Sequence, residues 1–404
     1  MSEMPRDNKK NCSWRSGNFL LPQLSKIKAE MILQKLQLKN FRNHGKKEID
    51  FLEKTTLIVG VNSTGKTNIL EAIYLLATGK SFRVRGVESE MIKYGEETGR
   101  VTGEVEDNFE KGKATLEILL TRGEVMGEKV AKKKYLENGV TKRAIDFVGR
   151  LRAVYFGPED LEIIIGSPSI RRKYLDEVLS QTDKEYYRAS LSYEKGLRSR
   201  NRLLEEMREY GTSDRKRLYF WDQLLIKNGN ILTTKREEYI NFINNLQFSI
   251  YNLKSALPTK SSSVYFQFSL NYDRSSISVE RLAQYANEEV AAGTTLVGPH
   301  RDDFSVQIRN SDSPPGGRNL AVYGSRGEQR LAVLWLKLGQ LKFFKEKTKE
   351  MPVLLLDDIF SELDSMHRKL VLEIVRQEQA IITTADIGMV EKKWLKEVKI
   401  IELE

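Results

Sequence analysis

Between an apolar run, TTLIV at 55–59, and a second one with helical spacing, ILEAIYLLATG at 69–79, stands GVNSTGKTN, Gly60 to Asn68. No other feature of this chain restricts its fold as tightly. Gly60, Gly65, Lys66 and Thr67 match the pattern G-x-x-x-x-G-K-[ST], whose glycines let successive backbone N–H groups wrap a phosphate. Such a loop works between a buried strand and a helix N-terminus, where unpaired N–H groups and the helix dipole favour an anion. Both flanks comply. TTLIV is the short continuous apolar run of a parallel-sheet strand. Ile69, Ala72, Ile73 and Leu76 fall at i, i+3, i+4 and i+7, one face of a helix, and Gly79 is its stop. An α/β fold follows, with a nucleotide held by Gly60, Val61, Asn62, Ser63, Thr64, Gly65, Lys66, Thr67 and Asn68. Lys66 supplies charge at the β- and γ-phosphates, and the Thr67 hydroxyl is placed to ligate Mg2+.

The rest of the chain divides by character. Residues 1–30 are polar and aperiodic and read as a disordered extension, with Met31 a candidate native start. Residues 31–166 carry strand patterns at ILQKLQLKNFR, KKEIDF and across 98–140. From 167 to 260 the chain turns helical and rich in Arg, Lys, Glu and Tyr. Tyr186, Ser190, Tyr193, Leu197, Arg200, Leu204 and Met207 alternate spacings of four and three, the seam of a short coiled-coil-like arm interrupted at Ser190 and Arg200. Gly211 to Asp214 breaks it, and a second helix begins near Lys216. Residues 261–404 return to strands at VYFQFSLNY, FSVQIRN, VLLLDD and AIITTA, with helices from Glu328 to about Lys347 and from about Ser365 to Arg376. A head, a helical insert and the rest of the head is the organisation.

A formal net charge of +10 points to a polyanionic partner. The single cysteine, Cys12, excludes an intrachain disulfide and a cysteine-based zinc site. No apolar run reaches the roughly 18–20 residues that span a bilayer, and the N-terminus lacks a secretory apolar core. The expectation is a cytoplasmic protein with no membrane partner. His44, His300 and His367 are too scattered for a metal cluster, and His300 is assigned no chemistry.

Two further motifs bear on the phosphate. Val353-Leu354-Leu355-Leu356-Asp357-Asp358 is a buried strand ending in two carboxylates, Asp357 to hold Mg2+ through water and Asp358 to polarise an attacking water. Ser325-Arg326-Gly327-Glu328-Gln329-Arg330 opens a helix. Ser325 and Glu328 make a capping box, which is enough to explain both, and a capped helix start is equally an anion site.

In this order GVNSTGKTN, SRGEQR, LLLDD and Ser361-Glu362-Leu363-Asp364 resemble the Walker A, signature, Walker B and D-loop of ABC-type ATPases. With LQLKNFRN, LLATGKSFR, FGPEDLEIIIGSPSIRRKYLD and TTLVGPHRDDF added, the chain from Met31 to about Asp386 is similar to the RecF family of bacterial DNA replication and repair proteins. The resemblance implies an ABC-type P-loop ATPase head split in sequence, with the helical arm inserted as a second lobe. It implies a homodimer formed head to tail with ATP, so that Ser325, Gly327, Glu328, Gln329 and Asp364 complete the nucleotide site of the other copy. It further implies ATP-dependent binding to DNA, a weak DNA-stimulated ATPase, RecO and RecR as partners, and RecA as the protein served. Thr383 stands where many ABC ATPases have histidine, and reads either as a γ-phosphate contact or as a strand end without a role. Ser63 replaces a frequent Gly or Ala, and His44 a frequent tyrosine. Candidates for DNA are Arg171, Arg172 and Lys173, then Arg198, Arg200 and Arg202, and Lys132 to Lys134; each cluster is also readable as a solvated face. Without a base-reading pattern, the contact is expected to be sequence-independent. The alternatives are the ATPase subunit of a transporter and an SMC-like structural clamp. The long basic insert opposes the first, and an arm of fewer than a hundred residues the second.

Overall fold

The computed structural model describes residues 31–403 apart from 85–86, 108–111, 212–214, 247–266, 310–316, 363–367, 369–370, 373–374, 377 and 390–393. The expected extension at 1–30, the D-loop residue Asp364 and most of the helix expected at 365–376 lie outside the described residues.

TTLIV forms the strand Thr55–Gly60 inside a five-stranded sheet. In spatial order the strands are Ala153–Phe156, Val353–Asp357, Ala380–Thr384, Thr55–Gly60 and Lys399–Leu403, and every neighbouring pair is parallel. The apolar runs are continuous because both faces of the inner strands are covered. The register pairs Phe156 with Leu356, Asp357 with Thr383 and Thr384 with Val59, so the carboxyl ends of four strands open on one edge. Ligands of open parallel sheets bind at that edge.

The helix Lys66–Thr78 departs from the one-faced expectation, since every residue from Ile69 to Ala77 is buried. It lies between the parallel sheet and a six-stranded antiparallel sheet built from Met31–Phe41, His44–Asp50, Thr98–Asp107, Gly112–Thr121, Lys133–Glu137 and Val140–Lys142. A helix covered on both sides needs apolar residues all round. A second core joins the other face of the parallel sheet to the arm and to the helix Arg326–Thr348.

The arm is an antiparallel hairpin of two helices, Lys184–Tyr210 and Tyr219–Asn245. Asp183 caps the first, accepting from the N–H groups of Glu185 and Tyr186, and Gly211 closes it at φ +64. A Cβ on Gly196 would lie 2.5 Å from Leu224, so glycine there lets the helices approach. The seam interruption at Arg200 is tertiary in origin. Its guanidinium is buried against Asp222 and Glu289, each at 2.7 Å, and donates to Thr295 at 2.9 Å. Opposite Tyr186, Arg236 bridges Asp176 at 2.8 Å and Asp302 at 2.9 Å, and donates to the Pro299 carbonyl at 2.7 Å. The Arg236–Asp302 pair and the bond to Pro299 tie the arm to the GPHRDD segment. His300 there is a packing residue: it meets the Tyr193 hydroxyl at 2.8 Å and the Thr295 carbonyl at 3.0 Å, and burial pulls its imidazole down to about 4, hence neutral.

Arg236→Ala would remove the ion-pair partner of Asp302, a fully buried carboxylate, and leave it with hydrogen-bond donors and the weaker influence of Arg172. A loss of about 3–5 kcal/mol is expected. Urea denaturation checks it, as a lowered midpoint at unchanged m-value.

Candidate nucleotide site

Gly65, the last residue before the helix, sits at φ +95. A Cβ there would meet Asn43 and His44 Nε2, both at 2.6 Å, so the position is closed to any side chain. Ser63 also lies at positive φ, +75, which is the physical reason a glycine is favoured in its place. Lys66 folds back over the loop, Nζ donating to the carbonyls of Gly60 at 2.6 Å and Val61 at 2.9 Å. The N–H groups of Lys66 and Thr67 are in the first helical turn, where no intrahelical acceptor exists, which leaves them as donors for an anion.

Thr67 Oγ1 lies 3.0 Å from Asp357 Oδ1, joining the loop to a strand end 290 residues away. The same carboxylate oxygen accepts from Thr383 at 2.6 Å, and Asp357 Oδ2 accepts from Tyr155 at 3.2 Å. Burial raises the Asp357 carboxyl, and the three hydroxyls oppose that by stabilising its ionised form. Tyr155 also reaches Glu159 at 2.9 Å, so one phenolic proton stands between two carboxylates. Asp358, at φ +47, is fixed through its backbone N–H on the Thr383 carbonyl at 3.2 Å and on Thr383 Oγ1 at 3.1 Å.

A hydroxyl and a carboxylate in contact at the carboxyl edge of the sheet are hard oxygen donors of the kind Mg2+ takes. Among the described residues no group of three or more His, Cys, Asp or Glu could hold a metal unaided. Mg2+ characteristically takes one or two protein oxygens and completes its shell with water and phosphate.

Ser325 caps the helix Arg326–Thr348 in a full capping box: its Oγ accepts from Glu328 N–H at 3.3 Å, and Glu328 accepts from Ser325 N–H at 2.8 Å. Glu328 is further held by Arg318. Ser325, Arg326 and Gly327 are exposed, with open space around Gly327. No hydrogen bond joins Ser325–Gln329 to Gly60–Asn68 among the described residues.

The sequence model of the RecF/RecN/SMC N-terminal domain matches residues 32–402. A DNA replication and repair protein RecF from Ligilactobacillus salivarius is 32% identical over 384 residues, 93% of this chain and 96% of that one. One from Bacillus thuringiensis is 33% identical over 380 residues, 92% and 97% of the two chains. This chain belongs to the RecF family. Among solved structures, the recombination mediator protein RecF with ATP, of the RecFOR pathway, aligns with a TM-score of 0.76 at 33% identity, covering 91% of this chain and 95% of that one. RecF-ATPrS aligns at 0.75 and 34%, covering 90% and 95%. The fold is thus the α/β head of ABC- and SMC-like ATPases with a helical lobe. No helix among the described residues is long and apolar enough to cross a membrane.

Against this RecF frame, several expected site residues move. Thr383 is fully buried and donates to Asp357 Oδ1 at 2.6 Å, a support for the carboxylate. Gln329 points inward, its amide donating to the carbonyls of Leu320 at 3.1 Å and Gly324 at 3.3 Å, so it holds the signature turn. Arg171 grips Asp303 with two bonds, 2.6 and 2.9 Å, and Arg200 is buried as described; neither is available to DNA. Arg198 and Arg202 are exposed and lean on Glu194 at 2.9 Å and Glu206 at 3.7 Å. Lys133 is held by the Gly79 carbonyl and Glu88, whereas Lys132 and Lys134 are exposed. Arg172 keeps free donors beside a cavity that Lys173 also lines.

Sequence reasoning attached no role to Asn43, His44, Tyr155 or Glu159. His44 Nε2 lies 3.2 Å from the Gly65 carbonyl, and Asn43 accepts from Asn68 at 2.8 Å. Asn68 also accepts from Arg83 at 2.8 Å, and Arg42 makes two bonds to the buried Glu71, at 2.9 and 2.6 Å. The FRN and SFR segments thus brace the phosphate loop from outside. Their only signal in sequence was membership of stretches like the family's.

Proposed function

We propose that this RecF-family chain is an ATP-dependent DNA-binding protein of replication and recombinational repair, a weak DNA-stimulated ATPase whose hydrolysis acts as a switch. The observation that carries the reading is the 3.0 Å contact between Thr67 and Asp357, which assembles a phosphate loop and a carboxylate strand end into one site. Lys66 and the first-turn N–H groups hold the β- and γ-phosphates. Thr67 and Asp357 would hold Mg2+, with Thr383 and Tyr155 fixing the carboxylate. Bound there, Mg2+ would supply positive charge against the phosphates. Asp358 orients the attacking water; its carboxylate is shorter than glutamate, in keeping with slow turnover. Ser325, Gly327 and the capped helix start are exposed and turn to the nucleotide of a second copy, making a head-to-tail dimer on DNA at gaps and at single-strand to double-strand junctions. Asp364 is assigned to the same interface by its place in the D-loop motif. RecO and RecR are the proposed partners and RecA loading the step assisted, in line with the RecFOR pathway of the related structures.

Fluorescence anisotropy on gapped duplex DNA, with and without ATP and at two salt concentrations, tests this. Binding that requires ATP and weakens steeply with salt is expected. Intact ATP binding without any DNA binding would reassign the head to a different partner.

A further inference from the structure

The nine cations that the sequence nominated for DNA are not equivalent once folded, and the sorting leaves two of them, Arg172 and Lys173, on one cavity. A cleft of about 250 Å³ lies between the carboxyl end of the phosphate-loop helix, Lys66–Thr78, and the helix Pro168–Thr182. Arg172 and Lys173 line it from the second helix. Lys80, which no sequence argument had nominated, lines it from the head.

Its charge is not balanced internally. Lys80 is exposed and makes no ion pair among the described residues. Arg172 commits one N–H to the Asp302 carbonyl at 2.8 Å, and a guanidinium has five. Lys173 rests on the Phe82 carbonyl at 3.0 Å and stands 3.7 Å from Glu177. Two acids share the cleft. Asp176 is turned to Arg236 at 2.8 Å and so carries its own countercharge. Glu177 is half-matched by Lys173, and burial raises its carboxyl toward the neutral form. Ser169 and Ser180 add hydroxyls to the lining. Three cations, two of them with donors to spare, and small hydroxyls around an open cleft are the chemistry of a phosphodiester contact, and hold nothing that reads a base.

We propose that this cleft between head and helical lobe seats the DNA backbone, with Lys80 and Arg172 on phosphate oxygens and Lys173 beside them. The proposal rests on the DNA-binding reading above and gives it a place. The cleft is bounded by both lobes, so a strand seated there touches the helix whose opposite end is the phosphate loop, about 20 Å away by helical rise over its 13 residues.

The test uses the full chain with ATP and a labelled gapped duplex, titrated over a range of salt. Lys80→Gln is the decisive variant, since Lys80 is exposed and makes no ion pair among the described residues. It is expected to weaken binding to all sequences alike and to lower the slope of log K against log salt by about one. ATP affinity and melting temperature stay at wild-type values. Arg172→Gln is expected to lower the slope likewise, and with Lys80→Gln the decreases add. Wild-type slope and affinity in Lys80→Gln, while the unaltered chain binds DNA, would overturn the cleft and leave the DNA reading standing. Absence of DNA binding by the unaltered chain would overturn both.

Discussion

Lys66→Ala is expected to remain folded, to keep part of its affinity for ATP and to lose ATP hydrolysis by about 10²–10³-fold, the usual cost of deleting one preorganised electrostatic donor. The split between binding and turnover follows from the geometry. First-turn N–H groups and Gly65 remain to receive the phosphates, because they belong to the backbone. What leaves is a single charge, buried at 8% exposure and anchored on two loop carbonyls 2.6 and 2.9 Å away. Folding is insulated, since those carbonyls border an open loop where water can replace the ammonium. Steady-state phosphate release read beside equilibrium binding of a fluorescent nucleotide checks it. Turnover at the wild-type rate would mean that this loop is not where the γ-phosphate sits.

The sequence made this loop legible because its chemistry is local: four residues at fixed spacing, with a strand before and a helix after. The inner strands were legible for a related reason. Burial on both faces writes itself as an uninterrupted apolar run in TTLIV, VLLLDD and AIITTA. The two outer strands of the same sheet were not legible. Lys399–Leu403 is covered on one side, alternates between exposed and buried residues, and lies at the chain's end, while Ala153–Phe156 has only four residues between segments of no clear period. Side-chain direction was the other thing hidden. Arg200 looked like a flaw in a helical seam and Arg171 like a basic cluster, because their acidic partners, Glu289 and Asp303, lie far along the chain. Gln329 and Thr383 occupy motif positions yet turn into the protein, one to hold a turn and the other to hold a carboxylate. A motif fixes which backbone reaches a site; packing decides which side chains look into it.

Ser325 is where two explanations coexist, and Ser325→Asp separates them. As a helix cap, aspartate serves about as well as serine, though it sets a carboxylate beside Glu328, whose Oε2 accepts from Ser325 Oγ at 3.0 Å, so the Arg326–Thr348 helix is expected to hold with a small drop in melting temperature. As part of a site completed by the nucleotide of a second copy, the same change sets a negative charge against a phosphate. At about 4 Å and an effective dielectric of about 20, that repulsion is about 4 kcal/mol, or close to a thousandfold in the association constant. Nucleotide binding within each monomer stays at the wild-type level, because no bond joins Ser325 to its own phosphate loop. Light scattering with ATP is therefore expected to find dimers for the unaltered chain and monomers for the variant, with equal ATP occupancy in both. Dimers at wild-type strength in Ser325→Asp would reduce Ser325 to a cap and remove the head-to-tail site. Loss of the dimer together with loss of helix stability would instead indict the cap, and Ser325→Asn, an equally good cap that carries no charge, is expected to restore folding and dimer formation together.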